Sequence, residues 1–245
     1  DVRIENRSDG SALRTAISPG VGALHLSPGL LFVPGQPDLG MGLEALAEDG
    51  EPGPLALRLA KQCRVSAQTF DTPIGATEPA PLQPGQVFTF SVAARVGQVL
   101  SIASMFAESN DIVIASPESG IALFDGSGAP LPARDVTSDF ALWDVGTELD
   151  EAPGFGLAQA PRQPSSDYGP AEGVVSRRVE PTRALPAPAA LVEVEVSTAG
   201  GTYTIVVANV SIAKGVAEAQ LSPIFYALHA DDTMKLQRHF LNIGH

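Results

Sequence analysis

The stretch Gln86-Val87-Phe88-Thr89-Phe90-Ser91-Val92-Ala93-Ala94-Arg95-Val96-Gly97-Gln98-Val99-Leu100-Ser101-Ile102-Ala103-Ser104-Met105-Phe106 decides the fold class. Two runs rich in β-branched and aromatic side chains, 86–94 and 98–106, flank a Val-Gly turn, the pattern of two strands joined as a hairpin. Upstream, residues 2–6 alternate apolar and polar with period two, so a strand with one face on a core opens the chain. Ser18-Pro19-Gly20 reads as a breaker ahead of an apolar strand at 21–26. Between 42 and 62 the period changes: Leu43, Leu46 and Ala47, then Leu55, Leu59 and Ala60, recur at helical spacing on either side of a Gly/Pro break, which predicts two short covering helices. Downstream, 112–115 and 120–124 are short apolar strands, Asp125-Gly126-Ser127-Gly128 is a turn, and 191–197 and 202–210 are strands joined at Gly200-Gly201. Between 139 and 188 lies a Pro-, Gly- and acid-rich surface excursion, of a length that is usually functional or disordered. The fold class expected is all-β, an antiparallel β-sandwich with two short helices and a long acidic loop.

Composition agrees with that reading. Gly 24 and Pro 21 supply many turns, 44% hydrophobic residues sustain a core, and 18% charged residues place the chain outside the disordered class. Lys+Arg 15 against Asp+Glu 28 gives a net charge of −13, which excludes a nucleic-acid binder. Cys63 is the only cysteine, so no intrachain disulfide forms. No run of 18 apolar residues occurs, so no transmembrane segment is expected. The start at Asp1, without an initiator Met, reads as a processed end, and export as the usual reason for it.

The two ends of the chain echo one another. Ile4-Glu5-Asn6-Arg7-Ser8 pairs with Val207-Ala208-Asn209-Val210-Ser211, Ile17-Ser18-Pro19 with Leu221-Ser222-Pro223, and Ala23-Leu24-His25 with Ala227-Leu228-His229. Residues 1–211 are therefore read as the sandwich, and 212–245 as a C-terminal extension resembling the start of a second copy. Two accounts fit: a tandem domain, or a tail that adds strands to a neighbouring subunit at an open sheet edge.

Acidic residues gather where strands end. Asp111 precedes an apolar strand, while Asp144 and Glu148 lie four apart around Gly146, with Asp150 and Glu151 next. A hard cation such as calcium takes about six to eight oxygen ligands, and Gly146 lets the chain curl both carboxylates round one ion. Solvated turns account for this spacing as well as a cation site does. His25, His229, His239 and His245 show no zinc spacing, and His25 and His229 read as structural hydrogen-bonding residues. No Gly-x-Ser-x-Gly elbow and no dinucleotide fingerprint occur, so a non-enzyme is expected. Acid–base hydrolysis by Asp144 and Glu148 is the least favoured alternative.

A succession of blocks resembles a known family: Leu43-Glu44-Ala45-Leu46-Ala47-Glu48-Asp49-Gly50, Thr72-Pro73-Ile74-Gly75-Ala76, Ala103-Ser104-Met105-Phe106 with Ser109-Asn110-Asp111, Gly120-Ile121-Ala122-Leu123-Phe124-Asp125, Leu142-Trp143-Asp144 running on through Gly154, and Gln159-Ala160-Pro161-Arg162-Gln163. Over residues 2 to about 210 the chain resembles the bacterial branch of the spondin domain, whose animal members are F-spondin and mindin. The resemblance implies an antiparallel β-sandwich with Ca2+ held by acidic loops at one end. It places Asp111, Asp144 and Glu148 on the metal-binding positions, the last being Asp in the animal members. It further implies a non-enzymatic, secreted or cell-surface protein of extracellular adhesion or matrix assembly, its partners other copies of itself or extracellular matrix and surface components. The alternative is a structural subunit of a surface layer or fibre whose C-terminal tail pairs with a neighbouring subunit. The disulfides of the animal relatives have no counterpart beside a lone Cys63.

Overall fold

Period-two alternation in β1 (Val2–Asn6) buries Val2, Ile4 and Asn6 and leaves Arg3 and Glu5 on the other face. This is a computed structural model describing residues 1–198 apart from 39, 41, 175, 183 and 184. The strand expected at 202–210, the C-terminal half of the repeat, the 212–245 extension and His229, His239 and His245 lie outside the described residues. After β1 the chain forms β2 (Ile17–His25), α1 (Leu43–Asp49), α2 (Gly53–Leu59), β3 (Ser66–Phe70), β4 (Val87–Phe90), β5 (Val99–Phe106), β6 (Ile112–Ala115), β7 (Ile121–Ala122), β8 (Arg134–Asp135), β9 (Ala141–Asp144), β10 (Arg177–Val179), α3 (Pro188–Leu191) and β11 (Val192–Val196).

The strands make two antiparallel sheets. One has four strands in the order β4-β1-β11-β8; the other has seven, β10-β9-β6-β5-β2-β3 with β7 alongside β5. Side chains from both sheets, among them Ile4, Phe88 and Val194 from the first and Leu24, Ile102, Phe106 and Leu142 from the second, share one hydrophobic core. This is the sandwich the sequence predicts. The two expected helices also form, and they cover the opposite face of the larger sheet. Leu43, Leu46, Leu55 and Leu59 pack there with Val21, Ala23, Ala103 and Val113 in a second core. That extra layer explains why β5 is buried on both faces, as a near-continuous apolar run.

Three expectations are corrected. The runs at 86–94 and 98–106 do not form a hairpin: β4 pairs with β1, β5 pairs with β2, β6 and β7, and the turn at Arg95–Gln98 carries the chain from one sheet to the other. Ser18-Pro19-Gly20 does not precede the second strand but lies inside β2, where the β2–β5 register shifts between Ile17 and Gly20; a bulge is where a strand accommodates Pro. The excursion expected over 139–188 is interrupted by β9 and β10, and β9 is an interior strand between β6 and β10. A four-residue strand is too short for its periodicity to register against the surrounding Pro and Gly. Among the described residues, no helix is long and apolar enough to cross a membrane.

Candidate metal centre

Antiparallel pairing brings the acidic residues to one end of the larger sheet. Register Ile112↔Asp144 between β6 and β9, and Asp144↔Arg177 between β9 and β10, sets Asp111 just before β6, Asp144 at the end of β9 and Arg177 at the start of β10 side by side. The main chain of Asp111 accepts a hydrogen bond from Val145 N at 3.1 Å, extending the ladder one step. The chain then turns at Gly146, with φ 75°. A Cβ there would lie 2.8 Å from Val174 Cγ2 and from its carbonyl oxygen, so only glycine fits both the left-handed backbone and the close approach. Past this turn, Thr147 N and Glu148 N donate to Asp111 Oδ2 at 2.7 and 3.1 Å.

Carboxylate oxygens of Asp111, Asp144 and Asp150 all lie within 4.8 Å of one another. Asp111 and Asp144 are buried, at 0% and 1% exposure, and Asp150 is open to solvent. Arg177 Nη2 bridges Asp144 Oδ2 at 2.5 Å and Asp150 Oδ2 at 2.8 Å. The other oxygens of the two buried acids, Asp111 Oδ1 and Asp144 Oδ1, have no hydrogen-bond partner. Burial pushes Asp144 up to about 6, with the charges of Asp111 and Asp150 adding to the rise and Arg177 opposing it. Asp111 is also raised, by burial first, against the pull of the amides of Glu148, Thr147 and Gly146. Two buried carboxylates side by side with one cation between three acids leave a local excess of negative charge.

Of the three acids expected to act together, the structure unites Asp111 and Asp144. Glu148 is buried next to them, but its carboxylate is engaged elsewhere: Oε1 accepts from Gly169 N at 2.5 Å and Oε2 from Asn110 Nδ2 at 3.2 Å. Asp150 completes the group of three in its place. The backbone of Glu148 still serves the centre through its amide, and Gly169 has to be small, since a Cβ would fall 2.3 Å from the Glu148 carboxylate. Glu151 is structural, accepting from Leu157 N and Ala158 N while its own amide donates to Asn110 Oδ1. Arg177 carried no signal in the sequence, because only the β9–β10 register places it opposite Asp144.

The donor chemistry is specific. All the oxygens are carboxylate, with no thiolate or imidazole in the group, which suits a hard divalent cation. Ligands on opposite sides of one Ca2+ stand about 5 Å apart, so this spacing is compatible with a shared ion, and Asp150 faces solvent. His25 has the structural role expected of it: Nδ1 is 2.6 Å from Ser27 O and Nε2 2.7 Å from Ser101 Oγ. Trp143 packs on Phe32, ring centroids 4.8 Å apart. The chain matches no protein-family model and no curated protein sequence.

Proposed function

We propose that this chain is a non-enzymatic, calcium-binding β-sandwich of the spondin type that acts outside the cell in adhesion or matrix assembly, with Asp111, Asp144 and Asp150 holding the ion. The observation carrying the metal is the pair of buried oxygens, Asp111 Oδ1 and Asp144 Oδ1, that no donor satisfies. A buried carboxylate without a partner is costly, and a cation supplies the missing partner to both at once. Glu148 acts as a loop clamp in this reading: by binding Gly169 N and Asn110 it ties the segment after Gly146 to the segment before β6. The spondin assignment is supported by the ordered sequence blocks from Leu43 to Gln163, several of which frame this end of the sheet. Binding follows from charge neutralisation, and the consequence is an ordered acidic loop offered as a contact surface.

The test is a calcium titration followed by thermal melting. A cation that binds the folded chain alone stabilises it by about 1.4 kcal/mol at tenfold its Kd, a Tm rise of roughly 3–6 °C for a domain of this size. The rise should vanish with chelator and in Asp144→Asn. An unchanged Tm, or calcium affinity unaltered in Asp144→Asn, would sink the reading.

A further inference from the structure

We propose that Glu44, Glu48 and Asp167 form a second site for a hard divalent cation, distinct from the centre at Asp111, Asp144 and Asp150. Glu44 and Glu48 are four apart on α1 and so share a face. Asp167 comes from the loop between β9 and β10, and that loop is held on both sides of it: Gln163 Nε2 donates to Asp49 Oδ1 at 2.7 Å, and Gly169 N to Glu148 Oε1 at 2.5 Å. One carboxylate oxygen from each of the three acids lies within 4.8 Å of the others.

The independent sign of a ligand is Glu48 itself. It belongs to the buried stripe of α1 with Leu43, Leu46 and Ala47, is only 2% exposed, and its Oε1 has no hydrogen-bond partner. Amphipathic helices place apolar residues in that stripe; an acid there requires a compensating charge. Among the described residues, no Lys, Arg or His forms an ion pair with Glu44, Glu48 or Asp167, in contrast to the first centre and its Arg177. Burial pushes Glu48 up to about 7, a hydrogen bond with the Thr147 side chain opposing it and the charges of Glu148, Glu44 and Asp167 adding to the rise. Glu148 neighbours both groups: its charge adds to the rise at Glu48, and its own carboxyl is raised by burial first and then by the charges of Asp111 and Asp167. Glu44 and Asp167 are exposed, so water completes the shell from the open side.

The experiment is isothermal titration of the full chain, stripped of metal at pH 7.5, with CaCl2 and with MnCl2. Two cations per chain are expected in the wild type. Glu48→Gln and Asp167→Asn should each reduce this to one or weaken the second event at least tenfold; Asp167 is exposed, so its variant keeps the fold. Asp144→Asn and the exposed Asp150→Asn should instead abolish or weaken the other event. Wild-type stoichiometry and affinities in both Glu48→Gln and Asp167→Asn overturn the second site and leave the first standing. Loss of a single cation in the Glu48 and Asp167 variants, with Asp144→Asn and Asp150→Asn unaffected, supports this site and overturns the Asp111–Asp144–Asp150 reading. No binding to the wild type overturns both.

Discussion

Asp144 shows how one buried carboxylate can work against the fold. Its carboxyl is pushed up to about 6 in the folded chain from an ordinary 3.8, chiefly by burial. Below pH 4 it is protonated in both folded and unfolded chains and costs nothing. Between about pH 4 and 6 the unfolded chain gives up this proton to water while the folded chain keeps it, so stability falls across that window and is level above it, where the folded chain holds a buried charge. In chelator, Asp144→Asn should therefore be more stable than the wild type at pH 7.5 by about 1–3 kcal/mol, the difference closing towards pH 4. Denaturant melts at several pH values check this, and a variant less stable than wild type at pH 7.5 in chelator would contradict it. His25 acts in the opposite sense. Burial lowers its pKa, so its contribution is present at neutral pH and is lost as the pH falls below its ordinary 6.5. The residue-level chemistry was legible in part: Asp111 and Asp144 announced themselves as acids at strand ends, whereas the roles of Glu148 and Asp150 depend on which way a turn at Gly146 throws each side chain.

At the scale of elements, β2 joins the two cores. Its Val21 and Ala23 face the helices, while Ile17 and Leu24 face the other sheet. Gly22 lies between them where the ring of Phe90, from β4 in the smaller sheet, comes close; a Cβ at Gly22 would stand 2.6 Å from Phe90 Cε2. Phe90 in turn stacks on Phe70 of β3, centroids 4.8 Å apart and planes within 3°. Gly22→Ala should therefore force this aromatic pair apart and destabilise the chain by about 1–3 kcal/mol, with calcium affinity within twofold of wild type, because the site lies at the far side of the sheet order. A neutral effect in a urea melt would show that Phe90 can turn away without cost. The same contact explains why the opening stretch misled as to connection: strand identity lies in side-chain type, but whether 86–94 pairs with 98–106 depends on which neighbours, β1 or β2, compete for each edge.

On the scale of the whole molecule, two acidic groups, Asp111 with Asp144 and Asp150, and Glu44 with Glu48 and Asp167, lie where the loop between β9 and β10 meets α1 and the start of β6. That loop exposes Phe155 at 83%, with Leu157 and Tyr168 also open, while Glu151 accepts from Leu157 N and Ala158 N within it and Arg162 ties it to Glu108 ahead of β6. If the proposed sites bind calcium, the free energy of local opening rises, so calcium should slow chymotrypsin cleavage after Phe155 several-fold relative to chelator. Equal cleavage rates would mean that the loop is ordered without metal. The sequence by itself determined the all-β class, the two helices and the collection of acids around Gly146, because periodicity, turn residues and charge are local properties of the chain. Only the tertiary structure decided that β4 and β5 part into different sheets, that β9 threads the interior, that Arg177 faces Asp144, and that Asp167 comes to rest beside Glu48. Each of these is a pairing between residues far apart in the chain, settled by strand register and by the competition for two separate cores rather than by any pattern along the chain.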